Sequence, residues 1–279
     1  MGVTAVRRAT QADEWAIDGL MQDAKRVALR VPWDQVMAAL AQRDLFLVEQ
    51  EGQMACVCGL CVKPDAVAQI CIFALRDAWP VHEAVQRLLP PIVEALRQKR
   101  VTSLAFIGSE EWLLDGLMAN GFRQVNTVLT LQKTNFAVPD PGNPLITVRP
   151  ADRDDFADVL DIDRAALEPL WHNTMETLAQ CLGAACFDVA ELNGRIVGYA
   201  HATLRGRHGH LARIAVHPDW QGQRIGVRLL AQVVSLCRER RAFGMTLNTQ
   251  QDNVRARRLY EWFGFKFLGE EAQVLIRDV

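Results

Sequence analysis

The chain repeats itself at a nearly fixed offset, and this repeat constrains the fold more than any other feature. Three segments recur in order, 142 or 143 positions later: Val6–Ala9 with Asp13 as Val148–Ala151 with Asp155, Leu45–Gln53 as Phe187–Arg195, and Gly121–Phe122 as Gly264–Phe265. Several matches in one order indicate a duplicated structural unit. A chain of 279 residues is therefore predicted to form two domains of similar size.

The boundary between the two copies is expected in residues 139–145. The segment Pro139–Pro144 contains three prolines, a glycine, an aspartate and an asparagine, a composition typical of linkers. We therefore predict a first domain at 1–138, a linker at 139–145 and a second domain at 146–279.

Both copies show the same alternation of strand and helix patterns, which indicates an α/β fold. In the second copy, strands are predicted near 145–149, 186–191, 195–204, 209–216 and 244–249, and helices near 152–164, 224–240 and 253–263. The helix at 224–240 has the strongest pattern. Its apolar residues recur every three or four positions, which is typical of a helix packed on a sheet: Leu229, Leu230, Val233, Val234 and Cys237.

Composition excludes several classes of protein. The formal net charge is −2, so the broad basic surface of a nucleic-acid or anionic-membrane binder is not expected. No apolar run reaches the roughly 18 residues of a membrane span. Seven cysteines are too few and odd in number for a disulfide framework, and the first residues show no apolar signal core, so we expect a cytoplasmic protein with reduced thiols.

Four cysteines near the end of the first copy's hairpin raise the question of a metal site. Cys56, Cys58, Cys61 and Cys71 lack a second pair at zinc-knuckle spacing. We therefore interpret them as small buried apolar residues, and no metal is expected.

A glycine-containing loop leads directly into the strongest helix. Ile214-Ala215-Val216 ends a strand, His217–Trp220 forms a turn, and Gln221–Gly226 opens the helix. The first N–H groups of a helix have no intrahelical partner and carry the positive end of the helix dipole, so they bind anions. The simpler interpretation is an ordinary turn. The loop is neither a P-loop nor a dinucleotide fingerprint.

A second motif lies downstream, where Asn253, Ala256 and Tyr260 share one face of a helix that ends at Gly264. Together, the two segments resemble those of the GCN5-related N-acetyltransferase (GNAT) superfamily over residues 146–279. The resemblance implies two tandem GNAT-like domains, each a splayed mixed β-sheet flanked by helices. It also implies acetyl-coenzyme A as cosubstrate, bound between the Ile214–Val216 strand and the strand near 245–249.

The resemblance also assigns roles to residues of the loop. The pyrophosphate is expected on backbone N–H groups of Gly222, Gln223, Arg224, Ile225, Gly226 and Val227. The family usually has glycine where this chain has Arg224, so Arg224 is expected to keep helix-start geometry and to add a phosphate contact. Some relatives carry a glutamate at the position of Asn248, which leaves the general base open.

Three further roles follow from the same resemblance. Tyr260 is the expected general acid, because a phenol is protonated at neutral pH and can donate to the departing thiolate. Asn253 is expected to bind the pantetheine arm, with plain helix capping as the alternative. The amide of Val216 or Ile214 is expected to polarise the thioester carbonyl.

The general base is the least certain assignment. His210 is the first candidate, because an imidazole suits removal of an amine proton. His208 and His210 are predicted to share a strand face with Ala212 and Ile214, and His201 lies on the preceding strand. Glu168, His172 and a chain of waters are the alternatives.

Charge is unevenly distributed along the second copy. Residues 139–194 contain eleven acidic residues and three arginines, whereas residues 195–258 contain twelve arginines and three acidic residues. The basic stretch would surround the anionic cofactor, and the acidic stretch favours a cationic amine acceptor. The alternative is that the acidic residues only form solvated helix faces.

The first copy lacks both parts of the predicted site. Leu117 stands at the position of Tyr260, and Arg76–Glu83, where the loop should be, contains no glycine. We therefore predict a degenerate first copy and an N-acetyltransferase whose second domain is catalytic, acting by direct attack of a small-molecule or peptide amine. The alternative is a non-catalytic acyl-coenzyme A sensor or interaction module. The acceptor's identity and the oligomeric state stay open.

Overall fold

The computed structural model describes residues 4–41, 44–63 and 65–279. They divide into two compact units. The first consists of the chain up to Asn126 together with Ala272–Val279, and the second of Thr127–Glu271. The predicted boundary at 139–145 marks the repeat in the sequence, whereas the compact units begin and end elsewhere.

The helices and strands follow the predicted alternation in both units. The first unit contains β1 (Thr4–Arg8), α1 (Glu14–Asp23), β2 (Arg26–Leu29), α2 (Trp33–Ala41), β3 (Leu45–Gln50), β4 (Gln53–Val62), β5 (Val67–Leu75), α3 (Val81–Gln98), β6 (Ser103–Gly108) and α4 (Glu111–Met118). The second unit contains, after the long strand β7 (Arg123–Lys133), β8 (Thr147–Pro150), α5 (Phe156–Ala166), α6 (Met175–Cys181), β9 (Cys186–Leu192), β10 (Arg195–Arg205), β11 (His208–Val216), α7 (Ile225–Glu239), β12 (Gly244–Gln250) and α8 (Val254–Trp262). The last strand is β13 (Lys266–Asp278).

Each unit has a mixed sheet with one parallel pair of strands at its centre. The first unit has the strand order β1-β3-β4-β5-β6-β13, with β2 also paired to β5. The second has the order β7-β12-β11-β10-β9-β8. The parallel pairs are β5 with β6 and β11 with β12. The predicted tandem α/β architecture is therefore confirmed.

Two strands are divided between the units. Residues of β7 from Thr127 onward belong to the second unit, where Val128–Lys133 pair with Met245–Gln250 of β12. Residues of β13 from Ala272 onward belong to the first unit, where Gln273–Asp278 pair with Ser103–Gly108 of β6. Each sheet is thus completed by a strand that the sequence boundary assigns to the other copy.

Helix α7 packs on one face of the second sheet, as its periodicity predicts. Its five predicted apolar residues are all buried in one cluster with Leu211, Met245 and Leu247 of the sheet. Burying an aliphatic side chain of this size contributes about 1.5 to 3 kcal/mol. Helices α5 and α6 cover the opposite face, where Phe156 and Val159 pack against Phe187 and Tyr199. The sheet between them is therefore covered by helices on both faces.

A matching network of three charged residues in each unit supports the duplication. Arg7 in β1 donates two hydrogen bonds to Asp13, at 2.7 and 2.8 Å, and another to Glu49. The equivalent residues, 142 positions later, make the same contacts: Arg149, Asp155 and Glu191. In both copies the arginine lowers the pKa of the aspartate carboxyl by hydrogen bonding. The repeat is therefore kept in side-chain contacts as well as in the order of elements.

One pair of cysteines is bonded, although all seven were expected to be reduced thiols. Cys61 in β4 and Cys71 in β5 form a disulfide, with 6.0 Å between their Cα atoms, because adjacent antiparallel strands bring the two Cβ atoms within bonding reach. The expectation of reduced thiols throughout is wrong for this pair. Cys56 and Cys58 are buried free thiols, as predicted. No helix in the described ranges is long and apolar enough to cross a bilayer.

Candidate active site

The two parallel strands of the second sheet separate halfway along their length. His208–Leu211 of β11 pair with Gly244–Leu247 of β12, but β11 continues to Val216 and β12 to Gln250. Diverging strands leave backbone N–H and C=O groups unpaired along their facing edges. A cleft of about 600 Å³ opens there, bounded by the start of α7 and by α8.

The loop before α7 forms the turn that the sequence predicts. The Trp220 amide donates to the carbonyl of His217 at 2.9 Å, and the Gln221 side chain donates to the carbonyl of Val216 at 3.0 Å. Helix α7 then begins at Ile225, and its first turn contains no acidic residue. Its first N–H groups and the positive end of its dipole are therefore available to an anion in the cleft.

Arg224 does not keep the helix-start backbone that the sequence suggested. It is the N-cap of α7, with φ of 60° and ψ of 22°, in the left-handed region. A residue with a Cβ is disfavoured there by roughly 1 to 2 kcal/mol, which glycine avoids. The glycine usual in the family at this position is therefore explained by the backbone, and this chain carries the strain.

The Arg224 side chain is engaged by the segment interpreted as a linker. Its guanidinium forms an ion pair with Asp140, so the predicted phosphate contact would compete with an existing partner. Asn143 donates to the carbonyl of Gln223 at 3.0 Å. A Cβ on Gly142 would lie 2.4 Å from the backbone nitrogen of Arg228, so only glycine permits this close approach. The segment 140–143 therefore packs against the loop instead of hanging free.

Nearly all residues predicted to bind the cofactor line the one cleft. They are Ile214, Ala215, Val216, Gly222, Arg224, Ile225, Gly226, Val227 and Asn253. Gln223 does not line it, and its carbonyl accepts the hydrogen bond from Asn143. A single cleft therefore gathers strand, loop and helix residues that are up to 39 positions apart.

Tyr260 lies in the same cleft, with its side chain otherwise buried. The residue is 5% exposed, and its ring packs edge-on against Phe265, with 5.9 Å between the centroids. Burial raises the pKa of the phenol, and the positive charge of Arg213 opposes this in part. The hydroxyl is therefore protonated at neutral pH and can act only as a proton donor.

Both ends of α8, the helix that carries Tyr260, are capped. At the start, the Asn253 Oδ1 accepts a hydrogen bond from the Ala256 amide at 3.1 Å. This is the capping that the sequence left as an alternative, and it uses the oxygen alone, so the Nδ2 donors remain for a ligand. At the end, the ammonium of Lys133 donates to the carbonyl of Phe263 and to Asn135.

Lys133 was not identified from the sequence. It is 1% exposed, and burial lowers the pKa of its amine. A cation at a helix C-terminus interacts favourably with the helix dipole, so Lys133 holds the end of α8 at Phe263, three residues after Tyr260. No local pattern signals such a role, because the residue comes from β7.

His210 is the one histidine among the candidate bases that lines the cleft, within the residues the structure describes. Its Nδ1 lies 3.0 Å from the Thr246 hydroxyl on β12. Burial, followed by the charges of His208 and Arg205, lowers the pKa of the imidazole below its usual value. The ring is therefore neutral at pH 7 and able to accept a proton.

The predicted alternation of His208, His210, Ala212 and Ile214 on one face is wrong. In register with β10, Leu211 pairs with Ala202 and Arg213 pairs with His201, so Ala212 is an extra residue in β11. Such a bulge shifts the alternation by one position. Ile214 accordingly packs in the cluster under α7, whereas Ala215 packs in the cluster under α5.

The other candidate bases lie outside the cleft. His208 and Glu168 are exposed, and the Nε2 of His172 lies 2.9 Å from the carbonyl of Leu167. His201 lines a separate cavity. Asn248 does line the cleft and accepts a hydrogen bond from Thr130 at 3.1 Å, but an amide cannot serve as the base. In the described part of the chain, no group of acidic, histidine or cysteine residues could hold a metal.

Part of the second unit is similar to a known protein family. Residues 156–265 match the family model described as "Acetyltransferase (GNAT) family". This part of the chain is similar to that family, and the described cleft lies in the unit that contains it.

Relatives of the chain include proteins from a bacterium and an archaeon. The spore coat polysaccharide biosynthesis protein SpsD of Bacillus subtilis is 39% identical over 82 residues, which are 29% of this chain and 28% of that protein. An uncharacterized N-acetyltransferase of Methanocaldococcus jannaschii is 28% identical over 40% of this chain and 72% of that protein.

The structural match extends over both units. A tandem GNAT protein from the clavulanic acid biosynthesis pathway covers 99% of this chain and 98% of its own, with a TM-score of 0.62 and 13% identity. At that identity the likeness shows the fold alone. The spore coat protein is matched over little more than a quarter of its length, so its activity as a whole does not transfer.

Proposed function

We propose that the second unit transfers an acetyl group from acetyl-coenzyme A to a primary amine. The observation that carries the proposal is the convergence, in one cleft, of the α7 start, the separated edges of β11 and β12, and Tyr260. These supply an anion site, backbone partners for an extended chain and a proton donor, which are the three requirements of this reaction.

The residues present fit the cosubstrate. The diphosphate would be held by the first N–H groups of α7, where no acidic side chain opposes it. The pantetheine amides would pair with the free edges of β11 and β12, much as a further strand would. Asn253 would add its Nδ2 donors at the other wall.

The chemical step would use direct attack. The amine nitrogen bonds to the acetyl carbon, and the carbon–sulfur bond breaks. His210 accepts the proton that the nitrogen loses, either directly or through a water, and Tyr260 donates a proton to the departing sulfur. The amide of Val216 or Ile214 would stabilise the negative charge on the carbonyl oxygen. Both residues are in the required protonation state at neutral pH, because burial moves their pKa values in opposite directions.

The test is a screen of primary amines with acetyl-coenzyme A and the full chain, in which free thiol is detected. Thiol release that depends on an amine supports the proposal. A control reaction without added amine measures the hydrolysis of acetyl-coenzyme A. Binding of acetyl-coenzyme A with no amine-dependent release would instead support a sensor or interaction module.

A further inference from the structure

A second cavity of about 250 Å³ lies beside the cleft in the second unit. It is lined by polar side chains from α6 and β10, among them Thr177, Cys181, Tyr199 and His201. Ala212 and Arg213 of β11 line both spaces. The bulge at Ala212 therefore carries the wall between the cleft and this cavity.

Arg213 is a half-buried cation without a counter-ion in the described residues. One of its guanidinium N–H groups donates to the carbonyl of Trp171 at 2.7 Å, and a guanidinium has five such donors. A cation removed from water without an opposite charge is unfavourable. The remaining donors are therefore suited to an anionic group on a ligand.

His201 adds an unsatisfied donor or acceptor to the same cavity. Its Nε2 is buried and has no hydrogen-bond partner, whereas its Nδ1 lies 3.5 Å from the sulfur of Cys181. Buried polar atoms are nearly always partnered in folded proteins. An isolated one in a cavity wall indicates a position that a ligand atom or a water completes.

The acidic groups nearby are already bound within the protein. Asp163 accepts hydrogen bonds from the Tyr199 hydroxyl and from the backbone N–H of Asn173, the latter at 2.6 Å. Asp155 is bound to Arg149. These two carboxylates therefore have partners within the protein, and among the described residues that line the cavity the charged side chain is that of Arg213.

Building on the proposed function, we propose that the amine acceptor carries a carboxylate, as an α-amino acid does, and that Arg213 binds it. A planar carboxylate matches the fork of the guanidinium. The Nε2 of His201 would donate a hydrogen bond to the same carboxylate. Arg213 would thus determine which amines are accepted, without taking part in proton transfer.

The test uses amino acids and the amines that lack only the carboxylate: L-alanine with ethylamine, L-leucine with isopentylamine, and L-phenylalanine with phenethylamine. Each is titrated calorimetrically into the full chain saturated with coenzyme A, and kcat/KM is measured with acetyl-coenzyme A. At least one amino acid is expected to bind about 10- to 100-fold more tightly than its partner, the range for a hydrogen bond to a charged group.

The variants separate recognition from general damage. Arg213→Gln should abolish most of the preference for the carboxylated partner, and Arg213→Lys should restore part of it. Arg238→Gln, which removes an exposed arginine from the last turn of α7, should keep the preference. The preference is the ratio of two affinities, or of two kcat/KM values, measured on the same protein. A partly destabilised variant therefore still reports it.

The outcomes distinguish this inference from the proposed function. Equal use of both members of every pair would overturn the carboxylate and leave acetyl transfer standing. Tight binding of an amino acid without turnover would support the carboxylate and count against catalysis. Binding of the carboxylate-free amines alone, or of no member of the panel, would overturn the carboxylate as the recognised group.

Discussion

The same position in the two units is a cleft in one and a filled space in the other. In the second unit, β11 beyond Leu211 is paired on one edge only, with β10. In the first unit, β5 pairs with β6 only through Val67–Gln69, so the two strands separate there as well. The inner edge of β5 does not stay free, however, because Ile72–Leu75 pair with β2.

Strand β2 therefore takes the place that a pantetheine chain would take. Arg30, which follows β2, continues this occupation: its backbone amide donates to Cys71 and its side chain to the carbonyl of Ile107, both at 2.8 Å. The backbone partners that the second unit offers to a ligand are satisfied in the first unit by its own chain.

The starts of the equivalent helices α3 and α7 also favour an anion in the second unit only. In α3 the first turn contains Glu83, and the N-cap is Pro80, with φ of −67°. In α7 the first turn has no acidic residue, and the N-cap is the left-handed Arg224. A carboxylate at a helix N-terminus neutralises the dipole and repels an anion. The two units thus keep one fold, while the edge beside the diverging strands is open in the second unit and occupied by protein atoms in the first.

The largest expected effect comes from the residue that distinguishes the units at the end of the cleft, where Tyr260 corresponds to the buried Leu117. Tyr260→Phe should lower kcat by about 10² to 10⁴, the usual contribution of a positioned acid. The KM for acetyl-coenzyme A should stay within a few-fold, because the ring contact with Phe265 is kept. Leu117→Met is the matched control. A kcat within twofold of wild type would remove Tyr260 from the mechanism.

The next effect tests the difference in charge at the helix starts. Gly226→Asp places a carboxylate in the first turn of α7, about 4 Å from a bound diphosphate, where like charges repel by about 4 kcal/mol, or about 10³-fold in affinity. Calorimetry with acetyl-coenzyme A measures the loss.

Two variants serve as controls, one for the added side-chain atom and one for an added carboxylate elsewhere. Gly226→Ala should fold, because its Cβ would meet Leu259 at an ordinary 3.6 Å, and should lose less affinity. His82→Asp, at the same position of α3, should have no effect. Equal affinity of Gly226→Asp and wild type would show that the loop is only a turn.

Ligand stoichiometry tests the comparison most directly. Because β2 fills the first unit, we expect one acetyl-coenzyme A per chain. At about 100 times the dissociation constant, the ligand should stabilise the unit that binds it by about 2.7 kcal/mol. Calorimetric titration gives the number of sites. A value of two would mean that β2 is displaced and that the two units bind alike.

The features that the sequence predicts correctly are those set by residues close together in the chain. The repeat, helix α7 and the loop before it are readable because each depends on residues close together in the chain. The grouping of Tyr260 and Asn253 with that loop also came from local motifs, through their resemblance to a family.

The features that were missed depend on contacts between distant residues. Lys133 caps α8 from a strand 130 positions before Phe263, and Asp140 binds Arg224 across 84 positions. The bulge at Ala212 is visible only in the register with β10. Nothing in the Arg26–Leu29 segment signals that it pairs with β5 instead of entering a loop. Such long-range pairings follow from the assembled fold and not from a local period.

A smaller effect concerns the histidine of the cleft. Because burial lowers the pKa of His210 below 6.5, kcat/KM should fall as the pH drops through that lowered value, once rates are referred to unprotonated amine. His210→Gln should lose this acid limb and about tenfold in rate, less than the usual contribution of a base because water can enter an open cleft. NMR titration of the imidazole measures the pKa. An acid limb unchanged in the variant would assign the base elsewhere.

The smallest effect concerns Arg224, whose counterpart in the first unit is Pro80. Arg224→Gly removes the roughly 1 to 2 kcal/mol cost of a left-handed residue with a Cβ. It also adds about 0.5 to 1 kcal/mol of chain entropy in the unfolded state and removes a half-exposed ion pair worth about 0 to 1 kcal/mol. These terms nearly cancel, so the free energy of unfolding should change by less than about 1 kcal/mol. Urea denaturation measures this change. Asp140→Asn removes the ion pair but leaves the left-handed backbone of Arg224 in place, so the difference between the two variants isolates the backbone contribution.

Acetyl-coenzyme A affinity should change less than about threefold in Arg224→Gly, because Asp140 already holds the guanidinium. A loss above tenfold would show that the guanidinium leaves Asp140 to contact a phosphate, and the second unit would then differ from the first by a side-chain contact as well as by its open edge.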